Sequence, residues 1–192
     1  MTGRAAAEAV VIGASAGALE ALSIILPSLP AQFRLPLIIV VHVPPDKEST
    51  LPDLFQAKCT IKVCEAEDKA PVRAGTAYFA PPDYHLLVEM DKRLSLSTDE
   101  AVLHSRPSID VLFDSAADAY GPGLVAVILT GANHDGAKGM RAVVKAGGMA
   151  LVQRPDTAFA SAMPEAALAA CPDARVLSLE QIAVCLQELA EV

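Results

Sequence analysis

The segment Gly13-Ala14-Ser15-Ala16-Gly17 fits the pattern G-x-S-x-G. That pattern seats a serine on a sharp strand-to-helix turn, with its hydroxyl exposed and backbone N–H groups nearby. Small residues on every side let the turn tighten and a substrate approach. The N-terminus of the helix that follows favours developing negative charge. The same segment also reads as the glycine-rich first turn of a nucleotide-binding fold. Against that, Ser15 stands where the middle glycine of G-x-G-x-x-G belongs, and the lysine of a phosphate-binding loop is missing. Taken alone, the segment leaves nucleophile and nucleotide loop open.

A serine hydroxyl is a poor nucleophile without a base to take its proton. His42 ends an apolar run and is followed by Pro44-Pro45, which puts it where a rigid base belongs, although a lone histidine is often structural. Asp135, in Thr130-Gly131-Ala132-Asn133-His134-Asp135-Gly136, is the carboxylate that could orient His42 and stabilise its imidazolium. An ordinary helix N-cap is the other reading of Asp135. The order Ser, His, Asp differs from the Ser, acid, His order of α/β-hydrolases, but a triad is defined by geometry rather than by order. A metal site built from His42, His134 and Asp135 would need adjacent residues to aim at one ion, and the expectation is no metal and no cofactor. His85 and His104 read as structural or surface residues.

Those three residues must be carried by elements that bring them together. Residues 8–13 and 37–41 read as short apolar strands ending at Ser15 and His42, and 124–129 as a third strand ahead of Asp135. Strands are also expected at 61–63, 75–80, 86–89, 93–97 and 150–152, with the second and third of these flanking Pro81-Pro82-Asp83. Helices are expected at 19–26, 50–57, 109–119 (capped by Ser108), 137–146, 164–170 and 179–189. Strands alternating with helices predict an α/β fold: a doubly wound, mostly parallel sheet with flanking helices in three layers, plus a β-hairpin. In such a sheet the ligand site lies beyond the C-terminal strand ends, where all three residues stand.

The 192 residues suit one domain over 1–192, and an apolar fraction of 53% supplies an ample core. The 15 basic and 23 acidic residues give a net charge of -8, which argues against nucleic acid or an anionic membrane surface as partner. No stretch has the length and apolarity of a membrane-spanning helix, and the first nine residues are unlike a signal peptide. Cys59, Cys64, Cys171 and Cys185 match no zinc spacing. They read as small apolar residues in a reducing cytoplasm, with a Cys59–Cys64 disulfide as the lesser alternative.

Several segments then coincide with one family. The chain resembles the catalytic domain of the chemotaxis protein-glutamate methylesterase, CheB. The matching stretches are VIGASAGALEAL from Val11, VVHVPP from Val40, AYFAPPDYHLLV from Ala77, RPSIDVLFDSAA from Arg106, VILTGANHDGAKGM from Val127, AGGMALVQ from Ala146 and FASAMPEAAL from Phe159. The resemblance implies a Ser-His-Asp triad at Ser15, His42 and Asp135, hydrolysing glutamate γ-methyl esters on chemoreceptor helices and deamidating glutamines there. It implies backbone oxyanion donors at Ala16 and Ala132. The family usually has Ser-Thr-Gly-Gly where Ser15-Ala16-Gly17-Ala18 stands, Met-Gly where Ala132-Asn133 stands, and Gln where Val41 stands. Its members usually begin with a receiver domain, whereas the matching stretches here start almost at Met1. The expectation is a stand-alone catalytic domain with an open site, indifferent to phosphoryl donors, any restraint coming from a separate regulatory protein or from substrate localisation. A non-catalytic scaffold that keeps the fold and a nucleotide-binding protein are the competing readings.

Overall fold

The computed structural model describes residues 5–42 and 50–191. Strands β1 (Ala9–Ala14) and β2 (Leu37–Val41) are buried along their whole length. Val10 and Ile12 enter the core on one face of the sheet, Ala9 and Val11 the core on the other. A strand covered on both faces cannot alternate apolar with polar, which is why these runs are unbroken.

The other elements follow in chain order. Helix α1 (Ala18–Ile25) lies between β1 and β2, and α2 (Leu51–Gln56) precedes β3 (Lys62–Glu65) and β4 (Thr76–Phe79). Then come β5 (His85–Val88), β6 (Leu94–Ser97), α3 (Ile109–Tyr120), β7 (Leu124–Ile128) and α4 (Ala137–Lys145). The chain continues through β8 (Met149–Gln153), α5 (Ala162–Ala170), β9 (Arg175–Leu177) and α6 (Leu179–Ala190). Seven strands form one sheet in the order β3-β4-β2-β1-β7-β8-β9, every pair parallel. Side chains of α1, α2 and α6 cover one face; those of α3, α4, α5 and the antiparallel β5–β6 hairpin cover the other.

This is the doubly wound arrangement expected from the sequence. From β1 the chain winds outward to β2, β3 and β4, then returns to pair β7 on the other side of β1. The strand order therefore reverses at β1, and open α/β sheets bind ligands beyond the strand ends at such a point. The site lies there because β1, β2 and β7 are the three central neighbours.

The strands flanking Pro81-Pro82-Asp83 belong to different sheets: β4 to the parallel sheet, and β5 to the expected hairpin, where it pairs with β6. Consecutive prolines have no N–H to give a ladder, so the chain leaves the sheet there. Strand β9 was not expected, since three residues at a sheet edge give too short a pattern. The break expected at Pro44-Pro45 lies outside the described residues. All four cysteines are free thiols, so the Cys59–Cys64 disulfide is not formed. Among the described residues no helix is long and apolar enough to cross a membrane.

Candidate active site

Ser15 leaves β1 in a reverse turn closed by the Ala18 N–H, which donates to the Ser15 carbonyl at 2.9 Å. Gly17 sits at the third turn position with φ 84° and ψ 7°, the geometry of a type II turn, which a side chain would strain. A Cβ there would also stand 2.6 Å from Phe159 Cβ. The turn is the strand-to-helix elbow that G-x-S-x-G predicts, leaving Ser15 half-buried at the mouth of the sheet. The Ser15 N–H donates to the Thr130 carbonyl at 2.9 Å, so the serine is tied to the segment after β7 as well.

His42 arrives beside it by register. Ala14 pairs with Val41 across β1 and β2, and the His42 N–H donates to the Ala14 carbonyl at 3.1 Å. Ser15 and His42 are thus the next residues out on two adjacent parallel strands, which run about 4.8 Å apart. The His42 ring directs Nε2 at Asp135 Oδ2, 2.8 Å away, and Nδ1 at the Asn133 side chain, with Asn133 Nδ2 at 3.1 Å. Among the described residues Ser15 Oγ has no hydrogen-bond partner.

Asp135 is fully buried and saturated. Its Oδ1 accepts from Ser108 Oγ at 3.0 Å and the Asp110 N–H at 2.9 Å; its Oδ2 accepts from the Ile109 N–H at 2.7 Å and from His42. Burial alone would raise this carboxyl. His42 and the N–H groups of Asp110 and Ile109 outweigh burial and hold it below the usual carboxylate range. Asp135 is therefore an anion at neutral pH and an acceptor for the Nε2–H of His42. The N-cap reading is corrected: Gly136, not Asp135, caps α4, and the Asp135 carboxylate instead receives the first N–H groups of α3.

That contact needs α3 to start hard against the sheet. A Cβ on Gly13 would overlap the Ile109 side chain, so the glycine lets the helix N-terminus sit over the end of β1. Ser108 caps α3 as expected, in an extended conformation, and its Oγ also serves Asp135. Buried His85 fixes the cap: its Nδ1 accepts the Ser108 N–H at 3.1 Å, and its Nε2 lies 3.0 Å from the Glu100 carbonyl. His85 is thus structural, at one remove from the site. On the opposite flank Thr130 Oγ1 donates to the Ala16 carbonyl at 2.7 Å and accepts the Ala160 N–H at 2.9 Å. Gln153 Oε1 accepts the Thr130 N–H at 2.8 Å. Sequence reasoning passed over Asp110, Thr130 and Gln153; each lies within a quoted motif, but its partner is distant in the chain.

Among the described residues no group of three His, Cys, Asp or Glu side chains is placed to hold a metal ion, and His134 is exposed. No acceptor is found there for the N–H groups of Ala16 or Ala132. A cavity of about 310 Å³ adjoins His42, walled by Asp83, His104, Arg106 and Pro107. Arg106 shapes that wall by donating from Nε to Asp83 Oδ1 at 2.9 Å and from Nη1 to the Thr98 carbonyl at 2.9 Å. A larger concavity, about 610 Å³, lies at the opposite edge, by the N-terminal residues of β8 and β9. It touches none of these groups, so size does not locate the chemistry.

The CheB methylesterase family model matches residues 10–186. The chain belongs to the CheB methylesterase family. The solved catalytic domain of CheB methylesterase from Thermotoga maritima superposes with a TM-score of 0.91 at 33% identity, covering 96% of this chain and 100% of that one. A Leptospira interrogans relative, provisionally named a protein-glutamate methylesterase/protein-glutamine glutaminase, is 48% identical over 92% of this chain and 91% of its own. An Archaeoglobus fulgidus protein of that name without the provision is 37% identical over 83% of this chain but 46% of its own. The chain thus spans nearly all of the first relative and about half of the second. The CheB fold places its parallel sheet and hairpin as found here, and the family assignment makes the chain a carboxylic ester hydrolase of the methylesterase class.

Proposed function

We propose that Ser15, His42 and Asp135 form a catalytic triad that hydrolyses glutamate γ-methyl esters on chemoreceptor-type helices. The observation that carries this reading is the register that sets Ser15 and His42 side by side, with Asp135 held 2.8 Å behind the imidazole. His42 gives Nε2–H to Asp135, so Nδ1 is the nitrogen left to act as base. Ser15 Oγ attacks the γ-carbonyl carbon while its proton passes to Nδ1, and Asp135 stabilises the imidazolium. The oxyanion forms against the free N–H groups of Ala16 and Ala132. Collapse expels methanol, which takes the proton from His42 and leaves an acyl-serine. Water then repeats the sequence, releasing the glutamate and restoring Ser15. Deamidation of a glutamine follows the same course with ammonia as leaving group.

The relatives' names support both activities, and a cytoplasmic site of action on receptor helices goes with that reading. The test is methanol release from a methylated receptor fragment by wild type and S15A. Wild-type turnover with loss of several orders of magnitude in S15A is expected, since triad members act as a unit. Equal rates, or no release by either, would overturn the assignment, and the second result would favour a scaffold.

A further inference from the structure

A neutral imidazole has one N–H and one lone pair. Asp135, an acceptor, takes the Nε2–H of His42, which leaves the lone pair on Nδ1. That lone pair is already filled. Asn133 Nδ2 lies 3.1 Å from Nδ1, and the direction of the amide is fixed because Asn133 Oδ1 accepts the Asp135 N–H at 3.0 Å. Reversing the amide would set Oδ1 against a lone pair and Nδ2 against an N–H. The side chain is therefore a donor to the atom to which Ser15 must give its proton.

Two donors cannot share one in-plane lone pair. Once Nδ1 carries the serine proton, its N–H would face the amide N–H across the same 3.1 Å. The amide must leave before the proton can transfer. Asn133 is half-buried between exposed Ala132 and exposed His134, so its side chain has room to turn outward.

On the triad reading, we propose that Asn133 is a positioning residue that covers the catalytic base: its amide holds His42 aligned on Asp135 and keeps Ser15 unactivated until substrate entering the cleft displaces it. The cover lowers idle reactivity of the serine toward small electrophiles.

The test compares the full chain as wild type, N133G, N133S and S15A, reacted with a small alkyl fluorophosphonate in the absence of any receptor fragment. N133S keeps an oxygen for the Asp135 N–H and withdraws the amide, so it carries the test should N133G fail to fold. Phosphonylation of Ser15 is expected to be faster in both variants by about threefold to tenfold, the effect of one net hydrogen bond. In ¹⁵N spectra the unprotonated Nδ1 resonance of His42 is expected to move while Nε2–H stays on Asp135. Equal or slower labelling of N133S, with the fold retained and the Nδ1 resonance unmoved, overturns the cover and leaves the triad standing. No labelling of wild type above the S15A background overturns the triad, and the cover falls with it.

Discussion

Asp110 and Asp135 are buried carboxylates that each cap the helix the other introduces. Asp135, just ahead of α4, accepts the Ile109 and Asp110 N–H groups at the start of α3. Asp110, in the first turn of α3, accepts the Gly136 N–H at 3.0 Å and the Gly139 N–H at 2.7 Å at the start of α4. Each charge lies where a helix dipole favours it, and together they lock the two N-termini over the ends of β1 and β7. Asp135 is held by this exchange before His42 contributes anything.

The two carboxyls should leave opposite marks on stability. Asp110 is raised by burial first, with the Asp135 charge adding to it, against the pull of its N–H donors and Lys138. A raised carboxyl binds its proton more tightly folded than unfolded, so stability drops as pH climbs from about 4 through the folded value. Asp135 is lowered, so its contribution is complete above about pH 4 and is lost as pH falls toward its folded value. Urea unfolding from pH 3 to 8 should therefore find D110N as stable as wild type or more so at pH 7, the difference closing below about pH 4. A D110N chain that is markedly weaker at neutral pH and no weaker in acid would contradict the assignment.

For D135N the expectation is loss of both function and stability. Four donors converge on the two oxygens of Asp135. An amide offers one oxygen and sets an NH₂ against donors, which leaves a buried group unsatisfied at a cost of about 1–3 kcal/mol. It also favours the wrong tautomer of His42, and a loss near 10⁴-fold in kcat is the order seen when a triad carboxylate is made an amide. Methanol-release kinetics together with unfolding curves measure the two effects separately.

S108A tests whether the cap matters to the site. Ser108 Oγ is 3.0 Å from Asp135 Oδ1 and also the N-cap acceptor of α3. Loss of the cap costs about 0.5–2 kcal/mol. Removing one of four donors to Asp135 should lower kcat by no more than about tenfold to a hundredfold while KM stays put, since one hydrogen bond to a charged group contributes about 1.5–3 kcal/mol. A KM effect without a kcat effect would place Ser108 in substrate binding instead.

The parts of this site readable from the sequence are those whose signal is local. The apolar run Leu37–Val41 declares a central strand, and small residues around Ser15 declare a tight turn, because burial on two faces and a positive φ each restrict residue type directly. Ser108 announced α3 for the same reason. Asp110 gave no sign: an acidic residue in a first helical turn is what the helix dipole favours anyway, so its service to α4 was invisible. Asn133 was noticed only as a departure from the family pattern, since its partner lies 91 residues away. Asp135 was picked out as a carboxylate for His42 with a helix N-cap as its other reading, because a carboxylate ahead of a helix looks like that helix's own cap; Gly136 holds that place.

On the triad reading, Thr130 tests how rigid the turn at Ser15 must be. Its hydroxyl is buried and joins three segments: it donates to the Ala16 carbonyl at 2.7 Å and accepts the Ala160 N–H, while its own N–H is held by Gln153. The Ala16 carbonyl belongs to the peptide that leads into Gly17, so freeing it loosens the same turn that aims Ser15 Oγ and the Ala16 N–H. T130V keeps the volume and removes the hydroxyl, leaving the half-buried Ala160 N–H and Ala16 carbonyl without that partner, at a cost of up to about 1–3 kcal/mol. Misplacing the serine and its oxyanion donor by a fraction of an ångström should cost about tenfold to a hundredfold in kcat/KM, carried mainly by kcat. T130S restores the hydroxyl without the methyl and should recover most of the rate. If T130V loses stability while kcat is kept, the turn is held by its backbone alone; if T130S fails to rescue, packing of the methyl group and not the hydrogen bond is what positions the turn.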